Sequence, residues 1–415
     1  MDGHHSLPIH ARPPRTWRQW LNGALFYLSF ITGFTVIHAF QLLFLLPLKL
    51  IPGRWAGVTY DHGIRYTKGS FAILLNLMNQ WFAPTTFSIT FETHGRGKFS
   101  PEEIQQIVER DPSGKVVALH LPSKSVIISN HQAYCDWWYV WCLTYFMKAH
   151  RDVFITLKKS LKWIPILGPG MQMFRFIFLA RSWASDQAQL DKKLPKLGQK
   201  AEQEDDPFAF VLFPEGTLVS RETRPISRRY AEKIGVPDLN NLLLPRSTGL
   251  HYCLRSLAPR LPMLKLLDIT ITYPGVPPRR YGQSYYTLRS IFCDRVPPPV
   301  IHMHLRIFDV AKQVPIEGAI IANGSFDPNV VGSSASEGDK ANFDVWLREL
   351  WTCKDRFMTE FLEGDESKVS RSEPIEIPLE LRSPTETLAA YCFFAPVIAP
   401  YVLEKLAKLF LSDFS

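Results

Sequence analysis

The chain has 415 residues, 46% of them hydrophobic, and carries a formal net charge of +8. Its length supports one large domain or two ordinary ones, and its basic balance suggests an anionic partner: a nucleic acid, an anionic membrane surface or a phosphorylated substrate. The sequence contains no long Lys/Arg block and no nucleic-acid-binding signature, so we predict no nucleic-acid partner.

The six cysteines are scattered and form no CxxC pair. This pattern argues against a disulfide framework and a structural zinc site, and is typical of a protein that faces a reducing compartment. No cluster of metal-ligating residues is apparent, so we predict no metal and no other cofactor.

The first predicted element is a membrane anchor. Between Arg18 and Lys49 the chain has no Asp, Glu, Lys or Arg, and the core of this segment runs from Leu21 to Leu46. As a helix with a rise of about 1.5 Å per residue, it would exceed a hydrocarbon core of about 30 Å. It is too long for the apolar part of a signal peptide, and no A-x-A-like cleavage site follows. Basic residues flank both ends, so the charges do not predict an orientation.

Two further stretches lack charged residues. The first, Gly69 to Thr90, is interrupted by three amide side chains and a proline, so an interfacial or re-entrant helix and a membrane span both remain open. The second, Thr387 to Leu403, contains Pro396 and Pro400 and is marginal as a span.

Short β-rich runs alternate with helical or polar stretches in the central part of the chain: FSITFE, KVVALHL, SVIISN, VFITL, FIFLA, FAFVLFPE and LDITITYP. This alternation predicts an α/β fold, with a mixed β-sheet surrounded by helices. We divide the chain into a membrane part (1–85), an α/β domain (86–312), a C-terminal extension (313–385) and a C-terminal membrane-associated helix (386–415). Within the extension we predict a loop or insert at 322–344, a helix at 343–362 and a linker at 363–385.

The stretch SNHQAYCD places His131 and Asp136 between an apolar run and an aromatic-rich segment. Histidine is the usual general base near neutral pH, and a carboxylate can fix its tautomer. Positions five apart on a regular helix lie about 140° from each other, so the pair requires His131 to lie in a turn ahead of the helix. We predict a strand that ends at Ser129, a turn at Asn130–His131 and a helix that starts near Ala133. A histidine satisfied at a strand end, with an unrelated aspartate, remains the alternative.

The motif FPEGT, Phe213–Thr217, follows another apolar strand. Gly216 lets backbone N–H groups approach an anionic or hydroxylic ligand, and Thr217 offers a further donor. An ordinary strand-to-loop turn with a surface Glu215 is the alternative.

Basic side chains follow two other predicted strands. Lys158, Lys159 and Lys162 come after VFITL, and Arg181 ends FIFLAR. Such side chains suit a phosphate, which arginine binds bidentately, although Lys158 and Lys162 are better explained as part of a solvated face. Arg246, in LLPRSTG, is a further candidate.

Four motifs of this chain resemble, in the same order, the four sequence blocks of the glycerolipid acyltransferase family, which includes the 1-acylglycerol-3-phosphate acyltransferases. They are NHQAYCD, KKSLKWIPILG with FIFLAR, FPEGT and LLPRSTG. The form FIFLARSWASD most resembles the eukaryotic lysocardiolipin and lysophospholipid acyltransferase branch. The resemblance covers about residues 20 to 275. It implies that His131 and Asp136 are the catalytic pair. Together with the motifs above, it gives the expected substrate-binding residues Asn130, Lys159, Arg181, Glu215, Gly216, Thr217 and Arg246.

One position departs from the family pattern. Many members have an arginine directly after FPEGT, where this chain has Leu218, and the next arginine is Arg221. The cation that meets the acceptor phosphate is therefore open between Arg181, Arg221 and Arg246.

The resemblance implies direct acyl transfer from acyl-CoA, a co-substrate, to the free hydroxyl of a lysophospholipid at a bilayer. Lysophosphatidic acid, lysophosphatidylinositol and lysocardiolipin remain open as acceptors. His131 is expected to remove the hydroxyl proton, Asp136 to orient His131, and backbone donors near Gly216 to stabilise the oxyanion. The expected location is the endoplasmic reticulum membrane, with a mitochondrial membrane as the alternative.

Three alternatives accompany this hypothesis. An acyl-enzyme on Cys135 would replace direct transfer. The aromatic residues Trp137, Trp138 and Tyr139 either line an acyl-chain groove or belong to the core and an interfacial belt. The whole chain could also be a non-catalytic lipid-binding or membrane-shaping protein on the same fold.

Overall fold

The structure, a computed structural model, describes residues 3–164, 167–180, 182–316, 335–364 and 371–392. Its helices are α1 (Trp17–Phe40), α2 (Arg54–Phe82), α3 (Pro101–Ile107), α4 (Asp136–Phe146), α5 (Leu167–Met173), α6 (Trp183–Gln203), α7 (Arg224–Ile234), α8 (Ser247–Leu257), α9 (Val310–Gln313), α10 (Glu337–Leu362) and α11 (Glu386–Ala390). Its strands are β1 (Thr86–Phe91), β2 (Val108–Arg110), β3 (Val116–Leu119), β4 (Lys124–Ser129), β5 (Val153–Lys158), β6 (Ile177–Leu179), β7 (Phe208–Leu212), β8 (Lys265–Thr272), β9 (Val300–Asp309) and β10 (Ile375–Pro378).

Eight strands form one mixed sheet in the order β10-β1-β9-β8-β4-β7-β5-β6. The strands from β8 to β6 run parallel, β9 is antiparallel to β8, and β10 is antiparallel to β1. Strands β2 and β3 form a separate antiparallel pair. The predicted mixed sheet surrounded by helices is thus confirmed. Because β4, β7 and β8 are parallel neighbours, their carboxyl ends meet at one edge, where ligands bind in open α/β sheets.

The central strands are apolar on both faces because helices cover both sides of the sheet. In β4, Ile127 contributes to one core, together with residues of α2 and α4. Its neighbours Val126 and Ile128 contribute to the second core, together with residues of α8 and α10. This alternation with a period of two explains why the runs SVIISN and FAFVL contain so few polar residues.

Helix α1 begins with a capping box formed by Thr16 and Gln19. One of its faces packs on the domain, where the side chain of Asn22 donates to the carbonyl oxygen of Phe292 at 2.7 Å and the ring of Phe26 stacks on that of Phe292. The opposite face exposes large apolar side chains. Among the described residues, the helical segment Trp17–Leu50 is the one long and apolar enough to cross a membrane.

The uncharged stretch Gly69–Thr90 differs from the prediction. It supplies the end of α2 and most of β1, and most of its side chains are buried within the protein rather than lying at an interface. The side-chain amides of Asn76 and Asn79 donate to the carbonyl oxygens of Ala72 and Leu75, four residues earlier in α2, both at 2.9 Å. These local hydrogen bonds let polar residues lie inside a protein core, so the amides do not mark an interfacial helix.

The C-terminal extension also differs from the prediction in places. Helix α10 begins at Glu337 rather than at 343, because Ser336 and Asp339 form a capping box ahead of it. The predicted linker contains β10, which pairs with β1 at the edge of the main sheet. Of the insert predicted at 322–344, residues 322–334 lie outside the described residues. So does most of the predicted C-terminal membrane-associated helix, of which the structure describes 386–392 with α11. The division into four units remains a prediction.

Candidate active site

The two residues predicted to be catalytic lie at the carboxyl edge of the parallel strands. His131 follows β4 and lies in the turn ahead of α4, and Asp136 is the first residue of that helix. The Nδ1 atom of His131 lies 2.8 Å from Oδ2 of Asp136. The helix starts three residues later than predicted, because the backbone N–H groups of Gln132 and Ala133 donate to the same Asp136 oxygen at 2.7 and 2.9 Å. The five-residue spacing therefore forms a closed turn that joins the pair.

Asp136 is fully buried, whereas 20% of the His131 side chain is exposed. The buried carboxylate accepts a hydrogen bond from Nδ1–H, so in the neutral ring the other nitrogen, Nε2, is left with a lone pair. The ring of His131 stacks on Phe213, with 4.6 Å between the centroids. This arrangement gives an oriented imidazole that can accept a proton from a hydroxyl group.

The sequence analysis did not identify Tyr273, the residue directly after β8. Its hydroxyl donates to Oδ1 of Asp136 at 2.5 Å, so both carboxylate oxygens are engaged. Burial, and then the negative charge of Asp136, raise the pKa of Tyr273 well above its usual value, which keeps the hydroxyl protonated. The position of Tyr273 at the end of the predicted strand LDITITYP could have indicated its role, because polar residues that follow parallel strands gather at one edge of the sheet.

Glu215 was predicted to contact substrate, but in the structure its side chain contacts the backbone of the turn that carries His131. Its side chain is buried and accepts hydrogen bonds from the backbone N–H of His131 and of Leu243, both at 3.1 Å. Burial raises the pKa of Glu215 to about 8, while the two N–H donors and Lys354 oppose the rise. The chain uses this carboxyl group to hold the backbone of His131.

Asn130 was also predicted to bind substrate and is fully buried. Its side chain donates to the carbonyl oxygen of Ile271 at 2.9 Å and accepts from the N–H of the same residue at 2.8 Å. The asparagine therefore continues the pairing of β4 with β8 beyond the end of the strand, and its amide is bonded within the protein.

The FPEGT turn requires glycine at 216, where φ is +70°. The N–H of Gly216 donates to the carbonyl oxygen of Phe213 at 2.9 Å, so this particular donor is used within the turn. Gly216 is exposed and Thr217 is half-buried, whereas Leu218 packs into the core. The side chain directly after FPEGT, Leu218, therefore points into the protein.

Arg246 lies against the FPEGT turn. A Cβ atom on Gly216 would be 3.6 Å from Cδ of Arg246, and the backbone N–H of Arg246 donates to the carbonyl oxygen of Pro214 at 2.8 Å. Lys159 is exposed directly after β5, at the same edge of the sheet, and Arg221 is exposed after the turn. Arg181 lies outside the described residues.

Cys135 does not form the alternative nucleophile. Its thiol is fully buried 3.8 Å from the Tyr273 hydroxyl, and burial raises the pKa of Cys135 well above its usual value. A thiolate is therefore disfavoured. Trp138 and Tyr139 are buried in the core between α4 and its neighbours, and Trp137 is half-buried. In the part of the chain that the structure describes, no group of three or more His, Cys, Asp or Glu side chains could hold a metal ion.

Comparisons with known proteins show which family the chain belongs to. The chain matches the Acyltransferase family model over residues 113–272. It is 34% identical over 381 residues to 2-acyl-1-lysophosphatidylinositol acyltransferase of Saccharomyces cerevisiae, and the match covers 80% of this chain and 87% of the yeast protein. It is 31% identical over 240 residues to lysocardiolipin acyltransferase 1 of Danio rerio, covering 58% of this chain and 53% of that protein.

A third relative is lysophosphatidylinositol acyltransferase 10 of Caenorhabditis elegans, at 28% identity over 259 residues, with 61% of this chain and 56% of that protein covered. The long match to the yeast relative and the family model establish the assignment that the four sequence blocks suggested. The chain is an acyltransferase of the glycerolipid acyltransferase family, with relatives among the lysocardiolipin and lysophosphatidylinositol acyltransferases.

Proposed function

We propose that this protein transfers a fatty acyl group from acyl-CoA to the free hydroxyl of a lysophospholipid at a membrane surface. The observation that carries the proposal is the pair of His131 and Asp136, with one ring nitrogen held by the carboxylate and the ring partly exposed at the carboxyl edge of the sheet. Acyl transfer to a hydroxyl needs such a base, because the hydroxyl must lose its proton as it attacks.

The reaction follows from that geometry. Nε2 of His131 accepts the proton of the acceptor hydroxyl while the hydroxyl oxygen forms a bond to the thioester carbonyl carbon. The carbon–sulfur bond then breaks, and the imidazolium returns the proton to the departing CoA thiolate. Asp136 stabilises the imidazolium and keeps the proton of the neutral ring on Nδ1, as in a catalytic triad.

The basic residues at the same edge would bind the acidic head group. Arg246 beside the exposed Gly216 is the leading candidate among the described residues, with Lys159, Arg221 and Arg181 as further ones. The relatives named above support a lysophosphatidylinositol or lysocardiolipin acceptor, and lysophosphatidic acid remains a third acceptor to test. Helix α1 would hold the site at the level of lipid head groups, in the endoplasmic reticulum membrane or a mitochondrial one.

The test is an acyl-transfer assay with purified full-length protein in detergent or liposomes. Labelled acyl-CoA is supplied with a panel of the three lysophospholipids. The wild type should form the diacyl product with at least one acceptor, and His131→Ala should lower turnover by about 10²–10⁴-fold. His120→Ala is the matched control, because His120 is exposed next to β3.

Two results would overturn the proposal. Normal turnover by His131→Ala would remove the histidine base. Absence of transfer to every acceptor, with lysolipid binding retained, would instead favour a non-catalytic lipid-binding protein.

A further inference from the structure

Helix α10 lies outside the residues matched by the family model, yet it is bonded to the loop beside the active site. The carboxylate of Asp355 accepts hydrogen bonds from three successive backbone N–H groups, those of Asn240 (2.8 Å), Asn241 (2.7 Å) and Leu242 (3.1 Å). Asp355 is only 5% exposed. Charge-assisted bonds from consecutive N–H groups to one buried carboxylate fix the backbone of this loop.

The fixed loop reaches His131 by a first route through Glu215. Leu243, the next residue of the loop, donates its N–H to Oε2 of Glu215, and Oε1 of Glu215 accepts the N–H of His131. Each of these bonds is 3.1 Å long. A shift of the loop would therefore move the carboxyl group that holds the backbone of His131.

A second route passes through the residue after His131. The side chain of Gln132 donates to the carbonyl oxygen of Asn241 at 3.1 Å. The side chain of Asn241 donates to Oγ1 of Thr359, one turn further along α10, at 2.8 Å. Two successive residues of the His131 turn are thus tied to the same short loop, and α10 holds that loop at two points.

We propose that Asp355 is a positioning residue for acyl transfer. It sets the loop 240–243, and through Glu215 and Gln132 it holds the His131 ring where Nε2 meets the acceptor hydroxyl. The inference rests on the proposed function and extends its machinery to a helix beyond the matched domain. Small displacements matter here, because a misplacement of about 1 Å can cost about a hundredfold in rate.

Asp355→Asn tests this role in the full-length protein. The amide keeps one acceptor oxygen but turns an NH₂ group towards a backbone N–H, so at least one of the three bonds is lost. We expect kcat to fall by about tenfold to a hundredfold while KM for acyl-CoA stays within about twofold. Glu349→Gln is the control, because Glu349 lies on the same helix in an exposed ion pair with Arg96.

A double-mutant cycle separates positioning from a general loss of stability. If Asp355 acts through Glu215 and Gln132, then Asp355→Asn should cost little more in a background that carries both Glu215→Gln and Gln132→Ala, because both paths are already broken. Fully additive losses, or a kcat for Asp355→Asn within about twofold of wild type, would overturn the proposal.

Hydrogen exchange gives a readout that does not depend on activity. Asp355→Asn should speed amide exchange in peptides that cover 129–136 and 240–243 and leave α2 unchanged. Unchanged exchange over 129–136 would count against positioning. A wild type that transfers no acyl group would count against the proposed function, and the exchange data would still decide whether Asp355 orders the His131 turn.

Discussion

Tyr273 donates its hydroxyl proton to Oδ1 of Asp136 at 2.5 Å, while Oδ2 of the same carboxylate faces His131. The two residues come from different parts of the sheet, the end of β8 and the start of α4. Because each carboxylate oxygen has its own donors, the plane of the carboxylate cannot rotate without losing a hydrogen bond. The tyrosine therefore fixes which oxygen the histidine meets.

Removing this hydroxyl should reduce catalysis. In Tyr273→Phe, Oδ1 of Asp136 stays buried without its donor, a loss typically worth about 1–3 kcal/mol. We expect kcat to fall by about tenfold, with KM for both substrates little changed. Steady-state kinetics with the acyl-transfer assay measure the effect.

Tyr139→Phe is the matched control for that variant. Its hydroxyl is buried in the same core and has no hydrogen-bond partner among the described residues. Its turnover should equal that of the wild type. Equal turnover by Tyr273→Phe as well would show that the bond to Asp136 does not orient the pair.

Asp136 itself can be tested with an isosteric change. In Asp136→Asn, the amide oxygen in the Oδ2 position still accepts from Gln132, Ala133 and Nδ1 of His131, and the NH₂ group faces the Tyr273 hydroxyl. The neutral amide no longer stabilises the imidazolium that forms when Nε2 takes the hydroxyl proton, so we expect turnover to fall by about 10²–10⁴-fold. The double variant with His131→Ala should lose little more than either single variant, because the two residues act as a unit.

Asp205→Asn serves as the control for this change. Asp205 is 95% exposed in an ion pair with Lys124, so its loss should not affect turnover. If Asp136→Asn kept turnover within about tenfold of wild type, the negative charge of Asp136 would not be needed to support the base.

The sequence predicted the pairing of His131 with Asp136 because its information is local: an apolar strand, a turn and a helix within a dozen residues. The start of α4 was misplaced because hydrogen bonds from Gln132 and Ala133 to the Asp136 side chain compete with helix formation, and propensity alone does not reveal them. Motif position also could not show whether Glu215 faces a ligand or the backbone.

Contacts between distant parts of the chain account for the other differences. Asn130 pairs with Ile271, which lies 141 positions later in the chain. Strand β10 pairs with β1 from the other end of the domain sequence. Neither partner can be read from the residues beside it. The short strand β10 and the loop held by Asp355 lie in segments whose composition is typical of linkers and turns, so only the assembled sheet defines their roles.

The role of Asn130 leads to a stability prediction. In Asn130→Ala, the buried N–H and carbonyl oxygen of Ile271 lose the side-chain partner they now have. Unsatisfied buried groups typically cost about 1–3 kcal/mol each, so we expect a clear drop in thermal midpoint. Thermal unfolding of the purified protein measures it, with exposed Asn342→Ala on α10 as the control. A midpoint equal to that of the control would contradict the structural role.

The raised pKa of Glu215 predicts how the free energy of unfolding depends on pH. Burial raises its pKa from 4.5 to about 8, so the folded protein keeps a proton that the unfolded chain releases between these values. The folded state then binds more protons, and the free energy of unfolding should fall as pH rises through this window. Burial also lowers the pKa of Lys354 to about 8, but that group acts above pH 8 and in the opposite direction.

Glu215→Gln isolates this contribution because the amide does not titrate. The variant should be less stable at low pH, since one backbone N–H loses its acceptor oxygen. Its thermal midpoint should nevertheless decline less than that of the wild type between about pH 5 and pH 7.5, because the difference in proton binding has been removed. Thermal unfolding of both proteins across that range measures the two slopes. Parallel curves would mean that Glu215 ionises in the folded protein at the pH of an ordinary glutamate, and that its carboxylate holds His131 as a charged group.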